Sequence, residues 1–230
     1  MLNKNQITDI FFDLDHTLWD FEKNSALTFE KIFTELNIQL NIDDFLSAYD
    51  EINHRYWKLY RENKISKLEL RRKRLIESFE AIDYRFDPHD INWLSDKYIL
   101  YLSTFTNLFQ GTIFLLESLK SKYQLHVLTN GFEVVQHHKI KNSGLASYFK
   151  NIITAEKVGF KKPNPIIFEY ALDQTKTIPE NSLMIGDSFE ADILGALNIG
   201  MQAIHFNSHN EPLHNNCLVV NNLDEIKGML

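Results

Sequence analysis

The sequence predicts a doubly wound α/β fold: a parallel sheet with helices on both faces, interrupted after its first strand by an all-helical insertion. Three observations carry that expectation. Residues 7–12 (ITDIFF) are short, apolar and β-favouring, as a strand buried on both faces should be. From residue 20 to about 105 the pattern becomes long amphipathic runs such as FLSAYDEINHRYWKLYREN, with many aromatics and few Gly or Pro, which reads as a helical block. Beyond Gly111, strands and helices alternate, as parallel strands joined by crossover helices require. The domains are expected at 1–18 with 106–230, a Rossmann-like core, and at 19–105, a helical cap.

The elements follow in order. Residues 98–116 (YILYLSTFTNLFQGTIFLL) carry no charge and approach the length of a membrane span, but Ser, Thr, Asn, Gln and Gly interrupt them. They read as a buried helix end, a link and a second helix start. LHVLTNG is a strand ending in a turn, with a helix from about Glu133. NIITAEKVG is the next strand, and Asn164 with Pro165 suits the N-cap and first position of the helix IIFEYALDQT. SLMIGDS is a further strand, ADILGALNIG a helix closed by Gly200, and MQAIHF and CLVV complete the sheet.

Composition narrows the function. The 230 residues carry 24 basic and 31 acidic side chains, a formal charge of −7, which argues against bulk binding to nucleic acid or anionic lipid. The one basic cluster, RRKR at 71–74, lies in charge-mixed helical sequence and reads as a solvated face. Cys217 is the only cysteine, so no internal disulfide forms, and MLNKNQITDIFF lacks the features of a signal peptide. A reducing, cytoplasmic setting is expected, with no nucleic-acid or membrane partner.

Ligands of such sheets bind where the strands end at their carboxyl side, and the unusual polar residues stand there. Asp13 and Asp15 follow the first strand, Thr129 and Asn130 end another, Lys161 and Lys162 precede Pro163, and Asp187 ends SLMIG with Asp192 beyond it. Two carboxylates about 4 Å apart repel by roughly 4 kcal/mol at an effective dielectric of 20. Several around one crevice therefore call for a cation. An oxygen-only set without His or Cys at the matching positions suits Mg²⁺, which keeps places for water and a substrate phosphate. Lys, Thr and Asn supply a cation and donors for phosphoryl oxygens.

At this point the chain resembles the haloacid dehalogenase-like superfamily of aspartate-nucleophile phosphohydrolases. The D-x-D-x-T motif is met by Asp13, Asp15 and Thr17, the Thr after an apolar strand by Thr129, the Lys before Pro by Lys162, and G-D-x-x-x-x-D by Gly186, Asp187 and Asp192. TNGF, EKVGFKKPNPIIFEYAL, GDSFEADILGALNIGM and HFNSHNEP look further like the bacterial pyrimidine nucleotidases of that superfamily. The resemblance implies Asp13 as nucleophile and Asp15 as acid and base. It implies Mg²⁺ on Asp13, the Asp15 backbone carbonyl and Asp187, and a phosphoryl group gripped by Thr129 and Lys162 with the Asn130 backbone assisting. Asp192 would orient Lys162 or a metal-bound water, and Thr17 either braces the loop or touches substrate.

The substrate class is then a small phosphate ester, with nucleoside 5′-monophosphates leading and a sugar-phosphate phosphatase or β-phosphoglucomutase-like phosphotransferase as the alternative. The aromatics Trp19, Phe21, Phe29, Tyr56, Trp57 and Tyr60 read mainly as core. His16 fills a variable motif position, and His137, His138, His205, His209 and His214 read as surface histidines.

Overall fold

The computed structural model describes residues 2–87 and 90–230. Among them the strands are β1 (Asp9–Phe12), β2 (Gln124–Thr129), β3 (Asn151–Thr154), β4 (Ser182–Gly186), β5 (Gln202–Phe206) and β6 (Leu218–Val220). They form one sheet in the order β3-β2-β1-β4-β5-β6, with every neighbouring pair parallel. Helices α1 (Phe21–Glu35), α2 (Ile42–Arg61), α3 (Lys67–Ala81) and α4 (Ile91–Leu102) follow β1. Then come α5 (Thr112–Leu119), α6 (Glu133–Asn142), α7 (Ala155–Val158), α8 (Pro165–Thr175), α9 (Gly195–Asn198) and α10 (Leu223–Met229). This is the expected doubly wound α/β fold. The chain moves outward from β1 in one direction to β2 and β3 and in the other to β4, β5 and β6. That reversal opens a crevice at the carboxyl ends of β1 and β4.

The chain divides into two compact units, Met1–Phe21 with Thr106–Leu230, and Glu22–Phe105. In the first, all of β1 and β4 are buried, and Phe11, Leu128, Ile153, Ile167, Phe168 and Met184 close one face of the sheet. Hydrophobic runs buried on both faces are what a parallel sheet under helices demands. Trp19 and Phe21 fall in this unit, Trp19 fully buried.

The second unit is helical and held by aromatic packing. Phe29 lies 4.6 Å from Tyr49 and 4.7 Å from Tyr98, centroid to centroid, and 4.8 Å from Phe45. Asn41 caps α2, and Ser66 with Glu69 forms a capping box on α3. Phe29 is thus core, as its helical spacing implied, whereas Tyr56, Trp57 and Tyr60 are only partly buried.

Three local expectations are corrected. NIITAEKVG is strand only to Thr154, whose side chain then accepts from the Lys157 N–H and starts the short α7. A Thr cap is a local device that overrides the apolar run. The helix ADILGALNIG opens instead as a π-helical turn, Phe189–Leu194, a wider winding common at functional sites. Arg74 of the RRKR run is not solvated. It is buried, its Nη1 donates to Asn53 Oδ1 at 2.7 Å, and its guanidinium lies over Tyr98 and Tyr49. No described helix is long and apolar enough to cross a membrane.

Candidate active site

Asp13 is the first residue past β1, and its N–H donates to Ile185 O at 2.9 Å, which extends the strand by one step beside β4. The chain then turns sharply. Leu14 O accepts from the Leu18 and Trp19 N–H groups, and His16 takes a left-handed φ of 64°. Asn, Asp and His tolerate that region better than most side chains, which fits His at a position where Gly is common in the resembled motif.

Lys162 gathers the carboxylates. Its Nζ stands 2.7 Å from Asp13 Oδ1, 2.6 Å from Asp192 Oδ1 and 2.7 Å from Leu128 O, and the side chain is buried. Its backbone is held in turn by the Asn130 amide: Lys162 N–H donates to Oδ1 at 2.8 Å, and Nδ2 donates to Lys162 O at 3.0 Å. The Asn130 side chain therefore braces the lysine. Thr129 is buried, and its Oγ1 accepts from Gly131 N–H, leaving its own O–H to donate.

Asp187 follows β4. It accepts from Thr17 Oγ1 at 3.1 Å on Oδ1, has His209 Nδ1 3.6 Å from Oδ2, and takes the His205 Nε2 proton on its backbone carbonyl at 2.7 Å. Asp192 is set by the π-helical turn, its Oδ2 accepting from Ser188 N–H at 3.0 Å. A side chain at Gly186 would put Cβ 2.3 Å from that oxygen, so only glycine permits the approach. His205 is fully buried, which corrects its expected surface position: the β5 strand turns it toward Asp187. His137 and His138 are exposed.

The carboxylate oxygens of Asp13, Asp187 and Asp192 lie within 4.8 Å of one another, all three residues buried. Burial, with Asp192 and Asp15 adding and Lys162 opposing, pushes the Asp13 carboxyl up to about 6. Asp187 is pushed well above the ordinary carboxylate range, by burial first, with His16 opposing and Asp13 and Asp192 adding. Burial disfavours the Lys162 charge, yet Asp13 and Asp192 outweigh it and its affinity for the proton rises.

The Asp15 side chain lies outside this group of three. Its Oδ1 takes Lys139 Nζ at 2.5 Å and its Oδ2 takes Gln136 Nε2 at 2.9 Å. Any part it has in holding a metal is left to its backbone carbonyl, and the third carboxylate of the group is that of Asp192. Gln136 and Lys139 were not singled out from sequence. Their signal was slight: two polar residues three apart on a helix that starts just beyond a strand-end turn.

Residues 10–206 match the family profile described as haloacid dehalogenase-like hydrolase. The chain belongs to that family. It is 31% identical over 202 residues to the pyrimidine 5′-nucleotidase YjjG of Escherichia coli, covering 87% of this chain and 86% of that protein. It is 32% identical over 207 residues to the pyrimidine 5′-nucleotidase PynA of Streptococcus pneumoniae, covering 89% and 86%. It is 33% identical over 211 residues to a glyceraldehyde 3-phosphate phosphatase of Methanothermobacter thermautotrophicus, covering 86% and 85%. Among solved structures, the magnesium-bound HAD-hydrolase YfnB of Bacillus subtilis superposes with a TM-score of 0.87 at 28% identity, over 97% of this chain and 98% of that one.

The donor set fits a divalent ion. Asp192 Oδ1 is buried, and apart from its ion pair with the Lys162 ammonium at 2.6 Å it has no hydrogen-bond partner among the described residues. With all groups ionised, the three carboxylates of the cluster (Asp13, Asp187, Asp192) against the Lys162 ammonium leave two negative charges, which one divalent cation balances. The oxygens suit a hard ion such as Mg²⁺.

Proposed function

We propose that this hydrolase is an Mg²⁺-dependent phosphomonoesterase that works through an aspartyl-phosphate on Asp13, with nucleoside 5′-monophosphates as its preferred substrates. The observation that carries the reading is the joining of Asp13 and Asp192 by one buried ammonium, Lys162, beside Asp187, four groups brought from three separate parts of the chain. A carboxylate nucleophile, a cation and a strand-end crevice are what phosphoryl transfer needs.

Asp13, Asp187 and the Asp15 backbone carbonyl would hold the ion, with Asp192 beside them. Bound Mg²⁺ supplies positive charge to the phosphoryl oxygens. In the first step Asp13 attacks phosphorus, the ester P–O bond breaks, and Asp15 gives its proton to the departing alkoxide. In the second step Asp15 takes a proton from water, whose oxygen attacks the same phosphorus, and inorganic phosphate leaves with Asp13 restored. Thr129 donates its O–H to the transferred group, and the Asn130 backbone N–H adds a second donor. Lys162 is held by hydrogen bonds to Asp13 and Leu128 O and by its ion pair with Asp192, so it serves by charge and by fixing the nucleophile. Thr17 braces Asp187.

The nucleotide preference rests on the two pyrimidine 5′-nucleotidases among the relatives. A second reading, a phosphatase of small sugar phosphates, is favoured by the 33% identity to glyceraldehyde 3-phosphate phosphatase. A phosphate-release assay over dUMP, dTMP, glyceraldehyde 3-phosphate and glucose phosphates, with and without chelator, separates them. The expected result is Mg²⁺-dependent release, fastest from the nucleotides and absent in Asp13→Asn. Better turnover of sugar phosphates would remove the nucleotide preference. Turnover by Asp13→Asn near the wild-type level would remove the nucleophile.

A further inference from the structure

We infer that Gln136 and Lys139 are positioning residues that fix the Asp15 side chain for its acid–base work. The inference rests on the phosphomonoesterase reading and extends it to two residues outside the motifs.

Both residues sit on one face of α6, three apart, and both are almost wholly buried. A buried lysine is uncommon, because removing an ammonium from water is costly unless a counter-charge meets it. Lys139 meets Asp15 Oδ1 at 2.5 Å, while the Trp19 ring lies under its Nζ, 3.9 Å from the ring centroid, and Phe21 lies at 5.3 Å. Gln136 Nε2 donates to the other oxygen, Oδ2, at 2.9 Å. Each carboxylate oxygen therefore has its own donor, and the side chain cannot rotate without losing one.

Two features show that the amide is spent on this carboxylate. Gln136 Oε1 is buried and accepts no hydrogen bond from the described residues. A Cβ at residue 131 would stand 1.8 Å from Gln136 Nε2, so Gly131 keeps the space in which that amide reaches Asp15. The strand-end turn and the helix after it thus form one device.

The two buried lysines divide the carboxylates. Lys162 joins Asp13 and Asp192, and Lys139 pairs with Asp15.

The test compares esters that differ in how much they need a leaving-group acid. A nucleoside 5′-monophosphate expels an alkoxide, which needs a proton; p-nitrophenyl phosphate expels a stable phenolate, which does not. The parameter is kcat/KM, which covers steps only through departure of the leaving group. For Lys139→Met and Gln136→Leu, kcat/KM on the nucleotide should fall about 10²-fold, the cost of a misplaced or missing proton donor, with the loss in kcat. On p-nitrophenyl phosphate it should fall only a few-fold. Lys139→Arg, which keeps the charge, should recover part of the nucleotide rate. Equal losses on the two esters, whether from misfolding (checked by thermal melting of each variant) or from general disturbance of the site, would overturn the inference, as would no loss on either. Wild-type protein that cleaves neither ester overturns the underlying reading instead, and the inference with it.

Discussion

Replacing Asp13 by Asn should abolish turnover and yet make the metal-free protein harder to unfold. The perturbation removes one buried negative charge and leaves Lys162 paired with Asp192 and Leu128 O, so no ammonium is orphaned. In the folded protein the Asp13 carboxyl is raised from 3.8 to about 6, chiefly by burial. The folded state therefore binds its proton more tightly than the unfolded state does. Stability falls as pH rises through the window from 3.8 to about 6, and the whole cost is present above it. At about 1.4 kcal/mol per unit, roughly two units amount to about 3 kcal/mol. For a chain of this length that is a rise in Tm of about 6–12 °C for the variant in chelator at pH 7.5. The assay is thermal or urea unfolding of both proteins in EDTA at pH 7.5 and at pH 4, then with Mg²⁺. The gap should shrink toward pH 4. Mg²⁺ should stabilise the wild type more than the variant, since the ion binds only the folded site and loses a ligand in Asn. A variant no more stable than wild type in EDTA at pH 7.5, or a gap unchanged at pH 4, would refute the reasoning.

Lys162→Met leaves Asp13 and Asp192 buried without their counter-ion and should destabilise the protein by about 3–5 kcal/mol in urea unfolding, partly restored by adding Asp192→Asn. At the opposite end of the sheet, Asp9 accepts from His126 Nε2 at 2.9 Å and from Thr8 Oγ1 at 2.7 Å. Burial raises its affinity for the proton, but those hydrogen bonds together outweigh it and hold Asp9 below 3.8. Its contribution is therefore present above 3.8 and lost as pH falls through the lowered value, so Asp9→Asn should flatten the acid limb of a stability–pH profile. In the helical unit, Phe29→Ala removes the ring against which Phe45, Tyr49 and Tyr98 pack and should cost about 3–5 kcal/mol, read from the melting of that unit.

Much of the fold was legible because its signals are local. ITDIFF, LHVLTNG and SLMIG are apolar runs closed by polar residues, and Asn164–Pro165 opens α8 as a cap and first turn should. Two of the corrections are local as well. The Thr154 cap cut a strand short, and the π-helical turn at Phe189–Leu194 replaced an ordinary helix start because Asp192 is anchored to Ser188 N–H and fits against Gly186. Nothing in the spacing of FEADIL distinguishes those two windings.

The sequence by itself determined the family, the order of strands and helices, and which chemical groups stand at the strand ends. Only the tertiary structure decided how those groups share their charges: that Lys162 takes Asp13, 149 residues away, that Lys139 takes Asp15, 124 residues away, and that His205 and Arg74 are buried. Periodicity and capping are written within a few neighbouring residues. The partner of a buried charge is chosen by which distant side chain the fold brings within about 3 Å of it, where water has been excluded and the pairing becomes strong.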